Sequence, residues 1–188
     1  MRIGILGGTF NPIHLGHLIL AEEIREKLKL DSVIFMPAYL PPHKESKGIA
    51  AAKHRLAMVR RAIKGNPFFA SSDIEIKRKG RSYTIDTLNQ LKRKRAHDTL
   101  FFITGSDLLR YLAQWKDLKE IIKMVRFVVA TRPGYPLEKI PAYITTVPIR
   151  AVDISGVEIR RAVRNKQSIR YLVPESVYSY IKTLRLYI

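Results

Sequence analysis

The chain contains no cysteine, only one tryptophan and no uninterrupted apolar run long enough to cross a bilayer. Without cysteine, neither a disulfide framework nor a cysteine-ligated metal site can form. A membrane-spanning helix needs about 20 apolar residues, so no span is predicted. Met1 and Arg2 lead directly into an apolar segment, and we expect no signal peptide. These absences favour a globular protein of the cytoplasm.

Acidic residues are also scarce. Lys and Arg together number 34 against 16 Asp and Glu, which gives a formal net charge of +18 at pH 7. Such an excess favours anionic partners, among them nucleotides, nucleic acid and acidic membrane surfaces. No internal repeat or linker divides the chain, so its 188 residues are predicted to form one domain, residues 1–188.

The most informative stretch is GGTFNPIHLGH, at residues 7–17. Residues 2–6 before it are short and largely apolar, which predicts a buried parallel strand, and the residues after it carry apolar side chains at helical spacing. A glycine-rich turn between a strand and a helix presents backbone N–H groups and a helix N-terminus to an anion. We therefore predict that the turn formed by Gly8, Thr9 and Phe10 binds phosphates, with Asn11 capping the helix.

Two histidines belong to the same stretch. His14 and His17 are three residues apart, so a helical turn places both rings on one face, where they can donate hydrogen bonds to phosphoryl oxygens. A zinc site is the competing interpretation, but the metalloprotease motif requires a four-residue spacing and a glutamate. Two ordinary core histidines are the other alternative. The position at a ligand-facing helix start favours catalytic roles for His14 and His17.

Strand-like and helix-like segments alternate along the chain, which predicts repeated βα units. We expect an α/β fold with a Rossmann-like, doubly wound, mostly parallel sheet flanked by helices. The last predicted helix, from residue 174, places Val177, Ile181 and Leu184 on its core-facing side. After the first strand, strands are predicted at residues 32–36, 99–104, 127–130 and 144–149 with extended structure at 68–77, and helices at 50–64, 84–95, 107–112, 118–124 and 155–165.

Two candidate sites follow predicted strands or begin predicted helices. Gly105 and Asp107 follow a central strand, where the carboxyl ends of parallel strands form a ligand crevice; Asp107 can accept hydrogen bonds from a ribose and Gly105 permits close contact. Ser155 begins a helix whose N-terminus is a second anion site, and Arg160, one turn later, can bind a phosphate in bidentate fashion. Helix capping by Ser155 is compatible with both roles.

Three further residues carry weaker signals. Lys44 lies in a proline-rich loop and can reach phosphates as a point charge, although a solvated lysine is the ordinary interpretation. Thr84 begins a helix whose exposed amides can receive a carboxylate. Trp115 can stack on a pyridine or purine ring or simply pack in the core.

These segments resemble the nucleotidyltransferases that carry a His-x-Gly-His motif, and among them the bacterial nicotinate mononucleotide adenylyltransferases. The resemblance spans residues 3 to 181, although Gly156 and Val157 stand where the superfamily usually has hydroxyl residues. At least one side-chain contact to the triphosphate is therefore expected to be absent, with backbone amides as one possible compensation. The matching motifs are GGTFNPIHLGH at 7–17, PPHK at 41–44, YTIDTL at 83–88, ITGSDLLRYLAQWK at 103–116 and IS followed by IR at 154–155 and 159–160.

The resemblance implies transfer of the adenylyl group of ATP to nicotinate mononucleotide, which gives nicotinate adenine dinucleotide and pyrophosphate in NAD biosynthesis. It implies that Lys44 belongs to a loop closing over the nucleotides, and that Thr84 and Trp115 bind the nicotinate. Mg²⁺ is expected to be carried by ATP, and we can name no protein ligand for it.

Two alternatives stay open. A sister enzyme would act on nicotinamide mononucleotide, FMN or phosphopantetheine. A basic nucleic-acid-binding protein without catalysis is the alternative from another class, but the basic runs at 77–81 and 92–95 lack interleaved aromatic residues and are typical of a solvated face. The excess charge could also mediate a second, non-catalytic association.

Overall fold

The computed structural model describes residues 1–42, 48–106, 109–131, 140–150 and 152–188, with the backbone alone at Arg110. Strands and helices alternate as far as the third strand, as predicted, and beyond it two consecutive helices follow the third, the fourth and the last strand. The strands are β1 (Arg2–Gly8), β2 (Ser32–Pro37), β3 (Phe69–Ser71), β4 (Thr99–Gly105), β5 (Arg126–Thr131) and β6 (Ile144–Pro148). The helices are α1 (Leu15–Lys27), α2 (Ala52–Ala62), α3 (Ile74–Arg78), α4 (Thr84–Lys94), α5 (Leu109–Leu112), α6 (Leu118–Met124), α7 (Gly156–Arg164) and α8 (Glu175–Thr183).

The strands form one six-stranded sheet in the order β3-β2-β1-β4-β5-β6, and every adjacent pair is parallel. The chain moves outward from β1 to β3, crosses back to β4 beside β1, and moves outward again to β6. This is the order of a Rossmann-like, doubly wound sheet. The predicted α/β fold class is therefore confirmed, and the direction of winding reverses between β1 and β4.

At this reversal β1 and β4 separate before β1 ends. Their ladder stops at the pair of Leu6 with Ile103, whereas the ladder between β1 and β2 continues to Gly8 opposite Pro37. After Leu6, β1 is therefore hydrogen-bonded to β2 alone, and a crevice opens between the ends of β1 and β4.

The apolar core has two parts, one on each face of the sheet, because alternate strand residues point in opposite directions. On β4, Phe101 and Ile103 contribute to one part, while Leu100 and Phe102 contribute to the other. Helices α1, α2, α7 and α8 cover the first face, and α4 and α6 cover the second. Among the described helices, none is long and apolar enough to span a membrane.

One segment differs from its prediction. The alternation of residues 74–77 favours extended structure, but only Phe69–Ser71 is a strand, and Ile74–Arg78 forms the short helix α3. Four residues are too few to distinguish the two periods, and here tertiary contacts decide. Ile74 packs against the core of one face while Glu75 is buried by hydrogen bonds to other elements.

Two local predictions about helix ends are also wrong. The first helix begins at Leu15 with His14 as its N-cap, so Asn11 does not cap it. Val177 and Ile181 of α8 are buried as expected, but Leu184 lies just beyond the helix and is 43% exposed.

Candidate active site

Two cavities meet where β1 and β4 separate. The larger, about 570 Å³, contains both histidines of the glycine-rich motif and is called the histidine cavity here. The smaller, about 420 Å³, contains Trp115 and is called the tryptophan cavity. Four residues line both, namely Gly7, Gly8, Thr9 and Thr104. The cavities therefore form one cleft across the carboxyl ends of the two strands.

The structure brings most of the predicted site residues to this cleft. Thr84 and Trp115 line the tryptophan cavity. Lys44 and Asp107 lie outside the described residues. The histidine cavity is lined by Gly8, Thr9, Phe10, His14, His17, Gly105, Ser155 and Arg160.

The two histidines are held together at the start of α1. The backbone N–H of His14 donates to Nδ1 of His17 at 3.2 Å, and the ring centroids are 3.7 Å apart. Because Nδ1 of His17 accepts this bond, the neutral imidazole carries its proton on Nε2. Gly16 lies between them, and a Cβ at that position would be 3.1 Å from Nδ1 of His14. A side chain at this position would therefore displace the His14 ring by a few tenths of an ångström.

The turn before the histidines is held by an aromatic side chain. Phe10 has a φ of 47°, uncommon for a residue with a side chain, and its ring is buried against Phe35. The same ring contacts His17 edge to face at 5.1 Å, and a Cβ on Gly8 would lie 3.1 Å from it. The buried ring thus fixes both the backbone of the turn and one side of the His17 imidazole.

The second predicted anion site lies at the start of α7. Oγ of Ser155 accepts a hydrogen bond from the N–H of Glu158 at 3.2 Å, which confirms the predicted cap. Nη1 of Arg160 donates to the carbonyls of Asn11 at 2.7 Å and Gly156 at 2.9 Å. A Cβ on Gly156 would lie 3.0 Å from the Asn11 carbonyl oxygen. The glycine that departs from the superfamily pattern therefore lets α7 pack closely on the glycine-rich turn.

The tryptophan cavity combines a flat aromatic wall with a helix start. Trp115 packs edge to face on Phe102 at 5.4 Å and also lines the cavity, so packing leaves part of its surface available to a ligand ring. Thr84 is the first residue of α4, whose N-terminus carries partial positive charge. Nζ of Lys116 lies 5.2 Å from the ring of Tyr83, the N-cap of this helix. These groups suit a flat ring that bears a carboxylate.

Arg55 of α2 was not singled out from the sequence, yet only 1% of its surface is exposed. Its guanidinium donates to the carbonyls of Thr9 at 2.8 Å, Tyr39 at 2.8 Å and Ala50 at 2.9 Å. Burial lowers the pKa of this guanidinium from its ordinary value. Arg55 thus joins the turn after β1 to the backbone at Tyr39 and at Ala50. The sequence contained one indication of this burial: Arg55 lies four residues before Val59, which places its charge on the apolar face of α2.

Glu75 was also missed, although it lines the tryptophan cavity and is 8% exposed. The hydroxyl of Thr87 donates to its carboxylate at 2.7 Å, and Ser82, whose Oγ accepts from the N–H of Tyr39 at 2.9 Å, is its second partner. Burial raises the pKa of the Glu75 carboxyl above its ordinary value, while these hydrogen bonds and Arg78 act against the shift. Glu75 thus holds the residues around the start of α4. The alternation of apolar and polar residues at 74–77 gave no indication that Glu75 would be buried.

Within the described residues, no group of three or more His, Cys, Asp and Glu side chains is placed to hold a metal ion.

Known proteins are similar to this chain over most of its length. The family model described as cytidylyltransferase-like matches residues 5–162. A protein of Lactiplantibacillus plantarum named "Probable nicotinate-nucleotide adenylyltransferase" is 45% identical over 187 residues, covering 99% of this chain and 88% of that protein. A Thermoanaerobacter protein of the same name is 45% identical over 201 residues, covering 100% of this chain and 94% of that protein.

Solved structures show the same fold. The nicotinic acid mononucleotide adenylyltransferase of Plasmodium falciparum, solved in complex with NaAD, superposes with a TM-score of 0.80. The match covers 99% of this chain and 97% of the other at 18% identity, which supports the fold alone.

Replacing Arg55 by lysine should destabilise the protein. A single ammonium cannot reach three carbonyls that the guanidinium fork satisfies, so Arg55→Lys should lower the free energy of unfolding by about 2–4 kcal/mol in urea titrations. Arg60→Lys, on the exposed side of the same helix, is the matched control and should change it by less than about 0.5 kcal/mol. Equal effects of the two variants would contradict the role of Arg55.

Glu75 should make stability depend on pH. Its pKa is higher in the folded protein than the value of about 4.3 in an unfolded chain, so its stabilising contribution is complete below that value and is lost as pH rises through the folded pKa. Glu75→Gln cannot ionise, and its stability relative to the wild type should increase from pH 4 to pH 8. Thermal unfolding across this range measures the difference.

The exposed Glu120→Gln is the control for this pH series. Its difference from the wild type should change little with pH. A stability difference for Glu75→Gln that is constant across the range would mean that the Glu75 carboxyl titrates as it does in the unfolded chain.

Proposed function

The chain belongs to the nicotinate-nucleotide adenylyltransferases of the cytidylyltransferase-like family, and we propose that its two connected cavities are the sites of the two substrates. The reaction transfers the adenylyl group of ATP to the 5′-phosphate of nicotinate mononucleotide and releases pyrophosphate. One observation carries the assignment of sites: a phosphate-binding turn and a ring-binding pocket share the residues Gly7 to Thr9 at the point where β1 and β4 separate.

ATP binds in the histidine cavity. The backbone amides of Gly8, Thr9 and Phe10 and the N-terminus of α7 behind Ser155 surround its phosphates, since both are anion-binding arrangements. Arg160 contributes positive charge, but Nη1 is already bonded to two backbone carbonyls, so only the rest of the guanidinium is directed to the phosphate chain. Lys44, outside the described residues, is proposed as a further phosphate ligand.

Nicotinate mononucleotide binds in the tryptophan cavity. Its ring lies against Trp115 and its carboxylate lies at the start of α4, near Thr84. Gly105, at the end of β4, lines the neighbouring histidine cavity, where it allows a nucleotide ribose to approach the backbone, and Asp107, outside the described residues, is proposed to accept hydrogen bonds from ribose hydroxyls. Bound in this way, the mononucleotide directs its 5′-phosphate toward the residues shared by both cavities.

The chemistry requires positioning and charge stabilisation rather than a general base. The attacking 5′-phosphate has a second pKa of about 6 and is largely dianionic at neutral pH. What the protein supplies is in-line alignment of two polyanions and hydrogen bonds to the charge that develops on the α-phosphate and the departing pyrophosphate. His17, with Nδ1 occupied by the backbone of His14 and its proton on Nε2, is the donor to the transferring phosphate, and His14 supports it. Mg²⁺ carried by ATP would add positive charge at the phosphates, and we assign it no ligand among the described residues.

His17→Asn tests the catalytic assignment. An asparagine places its amide near the position of Nδ1, so it can still receive the His14 N–H, but it has no group at the position of Nε2. We expect kcat to fall by about 10²- to 10³-fold with little change in KM, measured by pyrophosphate release. The exposed His97→Asn should behave as the wild type. An unchanged kcat would remove His17 from this role, and a large loss of thermal stability would point to a structural one.

The choice of acceptor tests the substrate assignment. We expect kcat/KM for nicotinate mononucleotide to exceed that for nicotinamide mononucleotide by about 10- to 100-fold. The start of α4 donates a hydrogen bond to the charged carboxylate of the first substrate, and with the second substrate the same donor meets only a neutral amide. FMN and phosphopantetheine complete the panel. Preference for the amide would refute the acceptor, and tight, salt-sensitive oligonucleotide binding without ATP turnover would favour the nucleic-acid alternative.

A further inference from the structure

Asn11 stands at a junction of hydrogen bonds behind the phosphate-binding turn. Its Nδ2 donates to the carbonyl of Gly48 at 3.0 Å, and its Oδ1 accepts from the N–H of Ala50 at 3.0 Å. Exchanging the amide oxygen and nitrogen would break both bonds, so the orientation is determined. Ile49, between these two partners, is part of the wall of the histidine cavity. The Asn11 amide therefore fixes this wall relative to the turn.

One more group is directed at the same amide from a distant part of the chain. The hydroxyl of Tyr187, which follows α8, donates to Oδ1 of Asn11 at 2.9 Å. Burial raises the pKa of this phenol although Arg160 and Arg55 oppose the shift, so the hydroxyl remains a proton donor at physiological pH.

The backbone around Tyr187 supports a specific role. Arg185 and Tyr187 have φ values of 48° and 71°, in the left-handed region that residues with side chains seldom adopt. Leu186 between them packs against the core, and its N–H donates to the carbonyl of Ile181 at 3.0 Å. The segment thus holds an uncommon conformation that delivers the phenol to Asn11.

We propose that Tyr187 is a positioning residue for the ATP side of the site, acting through the Asn11 amide on the glycine-rich turn and on the Ile49 wall. It touches no substrate itself and lines neither cavity. Its hydroxyl restricts the Asn11 side chain, and the backbone carbonyl of the same residue accepts a hydrogen bond from Arg160. This inference rests on the proposed placement of ATP in the histidine cavity.

The proposal predicts an asymmetric effect. Loosening Asn11 disturbs groups that line the histidine cavity, whereas the start of α4 and Trp115 are held by other contacts. Tyr187→Phe keeps the ring and removes only the hydroxyl. We expect KM for ATP, and the Kd of a nonhydrolysable ATP analogue by calorimetry, to rise about 3- to 10-fold, the range of one lost hydrogen bond. KM for nicotinate mononucleotide should stay within about twofold.

Tyr180→Phe is the matched control. The Tyr180 hydroxyl makes one 2.9 Å hydrogen bond to Nδ1 of His54, which joins α8 to α2 away from the turn. The Tyr180→Phe variant should lower the melting temperature as much as Tyr187→Phe does, while its affinity for the ATP analogue should equal that of the wild type.

Two results would overturn the proposal. One is analogue affinity in Tyr187→Phe equal to that of Tyr180→Phe. The other is a parallel increase in KM for both substrates, which indicates a general structural role. If the wild type binds the analogue but forms no dinucleotide, the proposed function fails, and the analogue affinities of the two variants still decide the role of Tyr187.

Discussion

The site depends on where the hydrogen-bonded ladder between β1 and β4 stops. After the pair of Leu6 with Ile103 the two strands separate, while β2 continues to hold β1 as far as Gly8. The chain therefore leaves the sheet supported on one edge, with its other edge facing a crevice. Both cavities open from this point, and the residues they share belong to these two strand ends. A sheet in which the ladder continued further would close the space from which both cavities open.

Backbone N–H groups and carbonyl groups of a tight turn point in opposite directions. A turn whose N–H groups face the cleft therefore has carbonyls that face the protein interior. Here those carbonyls belong to Thr9 and Asn11, and each is satisfied by an arginine, Arg55 for the first and Arg160 for the second. Buried acceptors without donors are costly, and a guanidinium can serve several carbonyls at fixed angles. The two arginines thus stabilise the backbone of the turn that follows β1. Their charge also makes the potential at the turn more favourable for phosphates.

Local patterns were enough to predict the fold and the front of the cleft. The strand, turn and helix around residues 7–17 lie next to one another in sequence, so spacing alone placed His14 and His17 on one face. The contacts of Arg55 and Tyr187 join residues 46 and 176 positions from their partners, and no local period reports them. Arg55 carried a partial signal as a charge on an apolar helix face, but Tyr187 carried none. The prediction of extended structure around Glu75 was wrong, because a pattern of four residues cannot distinguish the period of a strand from that of a helix.

The departure at Gly156 shows how sequence and packing compensate each other. Read alone, a glycine in place of a hydroxyl residue removes one contact to the triphosphate. In the fold, a Cβ at this position would lie 3.0 Å from the Asn11 carbonyl oxygen, which Arg160 already holds at 2.7 Å. A serine could be accommodated only if this backbone moved by a few tenths of an ångström. The glycine is therefore coupled to the close approach of α7 to the turn, which places the N-terminus of this helix, with its amides and partial positive charge, at the histidine cavity.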